Sequence, residues 1–298
     1  MRLMRIGPAG QERPAVALDD RTAVDVSHLT GADIDTGFLA GDGISRLRAR
    51  LAPEALTDRE GTALPRVDLR HVRTGPPVAR PGKIVCVGLN YRTHAAEGGM
   101  AVPDEPVLFL KTSATVNGPH DPVLIPPGSR KTDYEAELAV VIGRTARYLG
   151  PTTDPLSYVA GYTLCDDVSE RAYQLERGGQ WDKGKNCETF TPLGPWLVTP
   201  DELPGPQDIE LRLTVNGELR QKASTADMIF PVAEIIRYVS QFMVLEPGDV
   251  ITTGTPHGVA LGMDPPRYLR PGDTVELTGT ALGCQRHRFE AALMEETR

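Results

Sequence analysis

Residues 133–142 of the 298-residue chain have the sequence DYEAELAVVI, in which an acidic segment leads directly into an apolar run. The run from Glu137 to Ile142 is closed by Gly143, and a short apolar run that ends in glycine is typical of a buried β-strand. Alternate side chains of a strand share a face, so Glu135 and Glu137 would project side by side. This stretch therefore predicts a buried strand that carries two neighbouring carboxylates at its start.

Two carboxylates placed side by side repel each other, and one of them takes up a proton unless a cation neutralises both. Carboxylate oxygens are hard ligands of the kind that Mg²⁺, Mn²⁺ and Ca²⁺ prefer. Glu135 and Glu137 are thus candidate metal ligands. The alternative, from this segment alone, is a solvated strand edge on which glutamates alternate with apolar residues.

Short β-like segments and turns predominate in the rest of the chain, which contains 30 glycines and 26 prolines. Apolar spacing over residues 231–244 predicts an amphipathic helix. Asn216-Gly217, between residues 211–215 and 218–222, predicts a hairpin with a type I′ turn. Further short apolar runs predict strands at residues 84–88, 107–110, 159–164, 250–253 and 274–277. We therefore expect an α+β fold that is mostly β, rather than a doubly wound sheet.

A stiff segment, TGPPVARPG at residues 74–82, divides the chain into a short and a long part. Before it, residues 16–18 and 23–26 predict a hairpin, and residues 44–51 predict a short helix. We expect a small N-terminal domain over residues 1–72 and a larger domain over residues 73–298.

Composition excludes several classes of function. The net charge is −8 and no basic stripe is present, so we expect no nucleic-acid partner. No run approaches the roughly 20 apolar residues that cross a bilayer, and the N-terminus lacks the apolar core of a signal peptide. We therefore expect no membrane partner. The four cysteines are scattered without a CxxC pair, which predicts reduced thiols and a cytoplasmic location. No GxGxxG or Walker loop supports nucleotide binding.

A third carboxylate could come from Asp166 or Asp167, which follow the strand-like residues 161–165. Ends of strands commonly present functional groups at a cleft, and a third acidic side chain would complete a metal site with the two glutamates. The alternative is that Asp167 or Ser169 caps the helix that follows.

His94 and Glu97 are three residues apart and would be neighbours on a helical turn. A carboxylate beside an imidazole raises its basicity and orients it, which suits a general base acting on water. The alternative is a surface contact. The glycines of Gly98-Gly99-Met100, directly after this pair, permit a mobile lid.

Two other segments are candidates for binding an anion. Lys185 lies in the sequence WDKGKN at residues 181–186, which either binds an anion or forms a solvated loop. Residues 252–258, TTGTPHG, offer hydroxyl and backbone N–H groups to a carboxylate, or form a plain turn.

These motifs, with several shorter segments, lie one after another between residue 83 and about residue 290. Together they resemble the fumarylacetoacetate hydrolase family. Each motif is weak alone, but the ordered set is highly specific. The matching segments are VGLNY at 87–91 with His94 and Glu97, FLK at 109–111, DYEAEL at 133–138, GYT at 161–163, DVS at 167–169, Lys185, PLGP at 192–195, TGTP at 253–256 and RPGD at 270–273.

The resemblance implies a fold of rolled mixed β-sheets in the catalytic domain, a small N-terminal domain and a homodimer. It implies that Glu135, Glu137 and Asp167 are the metal ligands, with Mg²⁺, or Mn²⁺ or Ca²⁺, as the cofactor. Residues 262–269 resemble a branch of the family that contains diketo-sugar-acid hydrolases and proteins labelled ureidoglycolate lyases. The chain as a whole resembles the part of the family that also includes acylpyruvases and hydroxymuconate isomerase/decarboxylases.

The resemblance also implies roles at the active site. His94 and Glu97 match the catalytic dyad, and Lys185 matches the lysine that contacts the oxo-acid end of the substrate. The substrate-binding residues that it implies are Thr255, Lys111 and Tyr91.

The resemblance implies hydrolysis of a C–C bond in a 2,4-dioxo acid of the acylpyruvate type, which yields pyruvate and a carboxylic acid. The alternatives are isomerisation or decarboxylation of a hydroxymuconate-type or oxaloacetate-like oxo acid and, more remotely, a non-catalytic oxo-acid-binding protein. The sequence departs from the family pattern at Asp166, where asparagine is usual, at residues 169–172, SERA, where SARD is usual, and at Glu188, where aspartate is common. These departures concern the choice of substrate more than the metal site.

Overall fold

A computed structural model of the chain describes residues 1–52, 57–99 and 101–294. Met100, the last residue of the expected lid, lies outside this part of the chain. The described residues form nineteen β-strands, seven α-helices and five short 3-10 helices.

The strands, in chain order, are β1 (Arg2–Ile6), β2 (Arg13–Ala17), β3 (Thr22–Asp25), β4 (Arg66–Asp68), β5 (Thr74–Gly75), β6 (Ile84–Gly88), β7 (Val107–Lys111), β8 (Val116–Asn117), β9 (Val123–Ile125), β10 (Thr132–Asp133), β11 (Ala136–Ile142), β12 (Val159–Asp166), β13 (Ser169–Glu170), β14 (Thr191–Val198), β15 (Glu210–Val215), β16 (Glu218–Ser224), β17 (Val250–Thr252), β18 (Thr274–Gly279) and β19 (Gly283–Ala291). The α-helices are α1 (Ser27–Thr30), α2 (Thr36–Ala40), α3 (Gly43–Arg50), α4 (Arg92–Glu97), α5 (Arg171–Leu175), α6 (Asp182–Lys185) and α7 (Val232–Val239). The 3-10 helices are Ser113–Thr115, Pro155–Tyr158, Pro200–Glu202, Thr225–Asp227 and Ala260–Gly262.

Most of the strands belong to one mixed sheet, in the order β4-β3-β2-β1-β14-β12-β11-β17-β6-β7, with β5 beside β1 and β8 beside β14. The pairs β17–β6 and β14–β8 are parallel, and the other pairs of this sheet are antiparallel. A second sheet has the order β16-β15-β18-β19-β9, and β10 pairs with β13. The prediction of an α+β fold that is mostly β, with mixed sheets, is therefore confirmed.

Strand β11, which contains most of the opening stretch, lies inside the large sheet and is buried on both faces. Leu138 and Val140 pack into one hydrophobic core, while Ala139 and Val141 pack into a second core on the opposite face. A strand covered on both sides needs apolar residues at every position, which explains the unbroken apolar run of its sequence. The alternative of a solvated strand edge is wrong.

The N-terminal strands extend the same sheet. Strand β1 pairs with both β2 and β14, with Leu3 opposite Leu197. Met4 packs into the same core as Val140, and Leu3 into the same core as Val141. The predicted hairpin and short helix of this region are present as β2–β3 and α3. The expected boundary between residues 72 and 73 stays a prediction, since the two parts share a sheet and both cores.

The hairpin β15–β16 turns at Asn216 and Gly217, whose φ angles of 52° and 81° fit the predicted type I′ turn. The helix predicted over residues 231–244 is shorter: α7 ends at Val239. The chain then turns so that Leu245 pairs with Ala146, which leads it back towards β17. The last apolar residues of the pattern thus serve a turn and not a helix.

The sheet topology brings several chain segments to one edge. The start of β11 lies opposite the end of β12, with Ala136 paired with Asp166. Strand β17 is antiparallel to β11 and parallel to β6, so the ends of β17 and β6 lie beside the start of β11. The segments that follow β6, β12 and β17 therefore meet the acidic start of β11.

All four cysteines are free thiols, as expected, and Cys86 and Cys165 are buried. Within the described residues, the longest apolar helices fall well short of the length that spans a bilayer.

Candidate active site

Three buried carboxylates meet where the topology brings these segments together. Glu135 immediately precedes β11, Glu137 is the second residue of β11, and Asp167 follows β12. One carboxylate oxygen from each lies within 4.8 Å of the other two. The three residues are only 5%, 2% and 0% exposed. Such a group of hard oxygen donors could hold a divalent cation.

Two of these carboxylates are paired with basic side chains. The Lys185 Nζ lies 2.6 Å from Oε2 of Glu135 and 2.8 Å from Oδ2 of Asp167. The Lys111 Nζ lies 2.5 Å from Oδ1 of Asp167, and the Arg171 guanidinium lies 2.6 Å from Oε1 of Glu135. Burial acts to raise the pKa of Glu135, but Lys185 and Arg171 outweigh it and lower that pKa.

Glu137 has no such counter-charge. Its Oε2 accepts a hydrogen bond of 2.7 Å from the Gly254 N–H, and no ion pair with it is found in the described part of the chain. Burial, and then the charges of Asp167 and Glu135, raise the pKa of Glu137 well above its ordinary value. A cation between the three carboxylates would remove this penalty, so the donor set fits a divalent metal ion.

Asp166 and Asp167 have different partners. Asp166 Oδ1 accepts a 2.8 Å hydrogen bond from the backbone N–H of Glu135, and its Oδ2 lies 2.9 Å from Nε2 of the buried His287. Asp166 therefore fixes the backbone at Glu135, whereas Asp167 belongs to the carboxylate cluster. The alternative that Asp167 or Ser169 caps a helix is wrong, because the cap of α5 is the side chain of Glu170.

His94 and Glu97 both lie on α4, where Nδ1 of the imidazole is 3.4 Å from Oε2 of the carboxylate. Glu97 also accepts the Gly258 N–H at 3.0 and 3.1 Å. His94 is buried, so the alternative of a surface contact is wrong. Because Nδ1 faces the carboxylate, Nε2 is the ring nitrogen left to face a reactant.

A cavity of about 340 Å³ connects these groups. The predicted site residues that line it are His94, Glu97, Glu135, Glu137, Lys185 and Thr255. The Thr255 hydroxyl donates to the carbonyl oxygen of Ala136 at 3.1 Å. The dyad and two members of the carboxylate cluster, Glu135 and Glu137, therefore face the same space, while Asp167 lies behind them, out of the lining.

Lys111 and Tyr91 are placed differently from the other expected substrate contacts. Among the described residues, neither of them lines this cavity. Lys111 lies behind Asp167 and also donates to the carbonyl oxygen of Phe190. Tyr91 is fully buried, and its hydroxyl has no hydrogen-bond partner among the described residues. Lys111 thus balances the charge of a candidate ligand, and direct substrate contact by either residue stays a prediction.

Sequence reasoning did not find two residues that organise the site. Arg171 contacts Glu135 and also Asp133, whose carboxylate accepts the backbone N–H groups of Ala260 and Leu261. Gln221, on β16, accepts the Ala136 N–H at 2.9 Å and donates to the Thr255 hydroxyl at 2.9 Å. A buried acidic cluster needs counter-charges, and this need could have indicated Arg171. No local sequence pattern distinguishes Gln221.

Comparison with known proteins agrees with this geometry. The family model described as "Fumarylacetoacetate (FAA) hydrolase C-terminal" matches residues 83–290. A protein of Burkholderia multivorans named "Putative hydrolase" is 48% identical over 294 residues, which cover 98% of this chain and 100% of the relative. The similarity therefore extends beyond the matched region into the N-terminal part.

Several solved structures share the fold over almost the whole chain. A fumarylacetoacetate hydrolase from Exiguobacterium antarcticum is 34% identical, with a TM-score of 0.81 over 98% of this chain and 100% of that one. Maleylpyruvate hydrolase from Sphingobium sp. SYK-6, in complex with manganese(II) ion and pyruvate, is 30% identical, with a TM-score of 0.79 over the same shares. A 5-carboxymethyl-2-hydroxymuconate delta-isomerase from Mycobacterium smegmatis is 31% identical, with a TM-score of 0.74 over 99% and 100%. Both hydrolases and an isomerase thus have this architecture.

The substitution Glu137→Gln tests the carboxylate cluster. Without metal, we expect the variant to unfold at the same temperature as the native protein or a higher one, because a neutral amide removes the like-charge repulsion. With Mn²⁺ at 100 times the dissociation constant, the native protein should gain about 2.7 kcal/mol of stability, and the variant far less. Thermal unfolding followed by circular dichroism measures both effects.

The matched control is Glu218→Gln, at a side chain that is 61% exposed and is not a member of the cluster. This control should keep the full gain from Mn²⁺. A Glu137→Gln protein that is stabilised by Mn²⁺ as strongly as the native one would show that Glu137 is not a ligand.

Proposed function

This chain belongs to the fumarylacetoacetate hydrolase family, and we propose that it is a metal-dependent hydrolase that cleaves a C–C bond of a 2,4-dioxo acid. The substrate is of the acylpyruvate type, and the products are pyruvate and a carboxylic acid. The observation that carries the proposal is that the His94–Glu97 dyad lines one cavity with Lys185 and with Glu135 and Glu137, the two members of the acidic cluster that reach it.

The oxo-acid end of the substrate binds beside the three carboxylates. A divalent cation held by Glu135, Glu137 and Asp167, for which we propose Mg²⁺ with Mn²⁺ or Ca²⁺ as alternatives, would act as a Lewis acid on the carboxylate and 2-oxo oxygens. Lys185 supplies a positive charge at the same end and stabilises the negative charge that develops on the oxo-acid part. Thr255, in the segment that follows β17, lines the same cavity and orients the substrate.

His94 supplies the base. Its Nε2 takes a proton from a water molecule while Glu97 holds Nδ1, and the hydroxide that results attacks the C4 carbonyl carbon. The bond between C3 and C4 then breaks, and its electron pair leaves with pyruvate as the enolate. The proton that His94 took from water is returned to C3, which completes pyruvate and restores the neutral imidazole, and the acyl part leaves as a carboxylic acid.

Isomerisation is the second candidate function, and the 31% identity to the Mycobacterium smegmatis isomerase favours it. An isomerase of a hydroxymuconate-type acid needs proton transfer by His94 but no attack by water. Products distinguish the two reactions: pyruvate with a carboxylic acid indicates hydrolysis, an isomer of unchanged mass indicates isomerisation, and CO₂ indicates decarboxylation. Inactivity on all of these oxo acids with Mg²⁺ or Mn²⁺ would favour a binding protein.

The homodimeric state and the cytoplasmic location expected from the sequence are further parts of this proposal. Sedimentation velocity at several protein concentrations tests the first.

The substitution His94→Ala should lower kcat for an acylpyruvate by on the order of 10²-fold or more, because the base that activates water is lost. Release of pyruvate, measured with Mg²⁺, with Mn²⁺ and with EDTA, checks this effect. His71→Ala, at an imidazole that is 80% exposed, is the control and should keep native turnover. Full turnover by His94→Ala would refute the role of the dyad.

The substitution Gly262→Ala tests the dyad without removing either side chain. A methyl group at this position would lie 2.2 Å from Cδ and Cγ of Glu97, so the carboxylate would have to leave His94 and the Gly258 N–H. We expect kcat to fall by about tenfold or more, because part of the contribution of a positioned base is lost. The stabilisation of the protein by the metal ion should be unchanged.

Gly150→Ala is the matched control for this variant, because a methyl group there meets nothing within 4 Å. Native turnover in Gly262→Ala would mean that the position of Glu97 does not matter for the reaction.

A further inference from the structure

Part of the lining of the active-site cavity is apolar. Leu89 follows β6, Phe109 lies on β7, Leu175 ends α5, Trp181 precedes α6, and Leu261 follows β17 in the chain. We call these five residues the apolar wall. Leu175 is 46% exposed, so part of its side chain is open to a ligand that enters the cavity.

Trp181 is held in place by its neighbours. Its ring meets Phe109 edge to face, with the ring centroids 5.7 Å apart. A methyl group at Gly88 would lie only 2.6 Å from Cζ3 of Trp181, so the indole lies directly against the backbone there. Trp181 and Phe109 therefore present one packed aromatic surface to the cavity.

The apolar wall begins directly beside the oxo-acid end of the site. The Lys185 Nζ lies 4.9 Å from the centroid of the Phe109 ring. A substrate whose oxo-acid end reaches Lys185 thus has Phe109 next to it, and Trp181 beyond. The group attached to C4 is the part of the substrate that extends along this surface.

The basic side chains of the lining are already paired. Arg171 contacts Asp133 at 2.8 Å and Glu135 at 2.6 Å, and Lys185 serves the oxo-acid end. Among the described residues that line the cavity, no cation is left for a second substrate carboxylate. A carboxylate buried there without a counter-charge would be unfavourable.

From the apolar wall and this lack of a free cation, we infer that the acyl group of the substrate is an uncharged alkyl or aryl group, selected by Phe109, Leu175 and Trp181. The inference rests on the proposed function for the identity of the oxo-acid end. The substrates are then acylpyruvates with an apolar tail, and dicarboxylic oxo acids are poor substrates.

Binding of simple 2-oxo acids tests this inference without any turnover, since these acids lack the 4-oxo group. Calorimetric titration of the Mg²⁺-loaded protein with pyruvate, 2-oxobutanoate and 2-oxohexanoate should show binding that tightens about fourfold per buried methylene. 2-Oxoadipate, which has the length of 2-oxohexanoate but ends in a carboxylate, should bind at least tenfold more weakly than 2-oxohexanoate.

Two variants test the residues. Trp181→Ala should weaken the binding of 2-oxohexanoate about tenfold and leave the binding of pyruvate nearly unchanged. Trp196→Phe, at a buried indole that stacks with Arg2, is the control and should bind both acids as the native protein does. Leu175→Arg, at a half-exposed position that tolerates a charge, should reverse the preference towards 2-oxoadipate.

Equal or tighter binding of 2-oxoadipate by the native protein, or no effect of chain length, would overturn the inference. So would a complete lack of binding by all four acids. If the apolar preference is found but no acylpyruvate is hydrolysed, the proposed hydrolysis fails while the apolar wall stands. If acylpyruvates are hydrolysed but those with a charged tail are preferred, the inference fails while the proposed hydrolysis stands.

Discussion

The mutual repulsion of three buried carboxylates is the constraint on which the rest of the site depends. One carboxylate oxygen each of Glu135, Glu137 and Asp167 lie within 4.8 Å of one another, and the three residues are almost fully buried. Lys111, Lys185 and Arg171 offset the charge of two of them and leave Glu137 without an ion pair among the described residues. A divalent ion is the simplest partner that satisfies all three, and the same ion would bind a keto-carboxylate.

Long-range hydrogen bonds hold the segments that carry these groups. Gln221 links the Ala136 N–H, between the two glutamates, to Thr255 in the segment after β17. Asp133 ties the segment at Ala260 and Leu261 to Arg171. The large sheet supplies the rigid base, because β11 is paired on both sides and packed on both faces. The candidate metal ligands, the His94–Glu97 pair and the apolar wall are thus parts of one supported structure.

Local patterns were sufficient for the strand at residues 137–142, the type I′ hairpin and the side-by-side placement of Glu135 and Glu137, because each depends on residues close in the chain. The burial of that strand was not decided locally, since a solvated edge fitted the same segment. Asp167, and not Asp166, joins the carboxylate cluster, because Asp166 binds the Glu135 N–H and His287, which is 121 residues away; only the family resemblance favoured Asp167. Gln221 was missed for the same reason. The helix over residues 231–244 was predicted too long, since the pairing of Leu245 with Ala146 could not be seen in its periodicity.

Anomalous diffraction from crystals grown with Mn²⁺ tests the central claim most directly. A single strong anomalous peak should appear within coordination distance of one oxygen each of Glu135, Glu137 and Asp167. The Lys185 ammonium should be displaced from its position between Glu135 and Asp167. Manganese bound elsewhere, or a map with no peak there while Lys185 still bridges Glu135 and Asp167, would contradict the account.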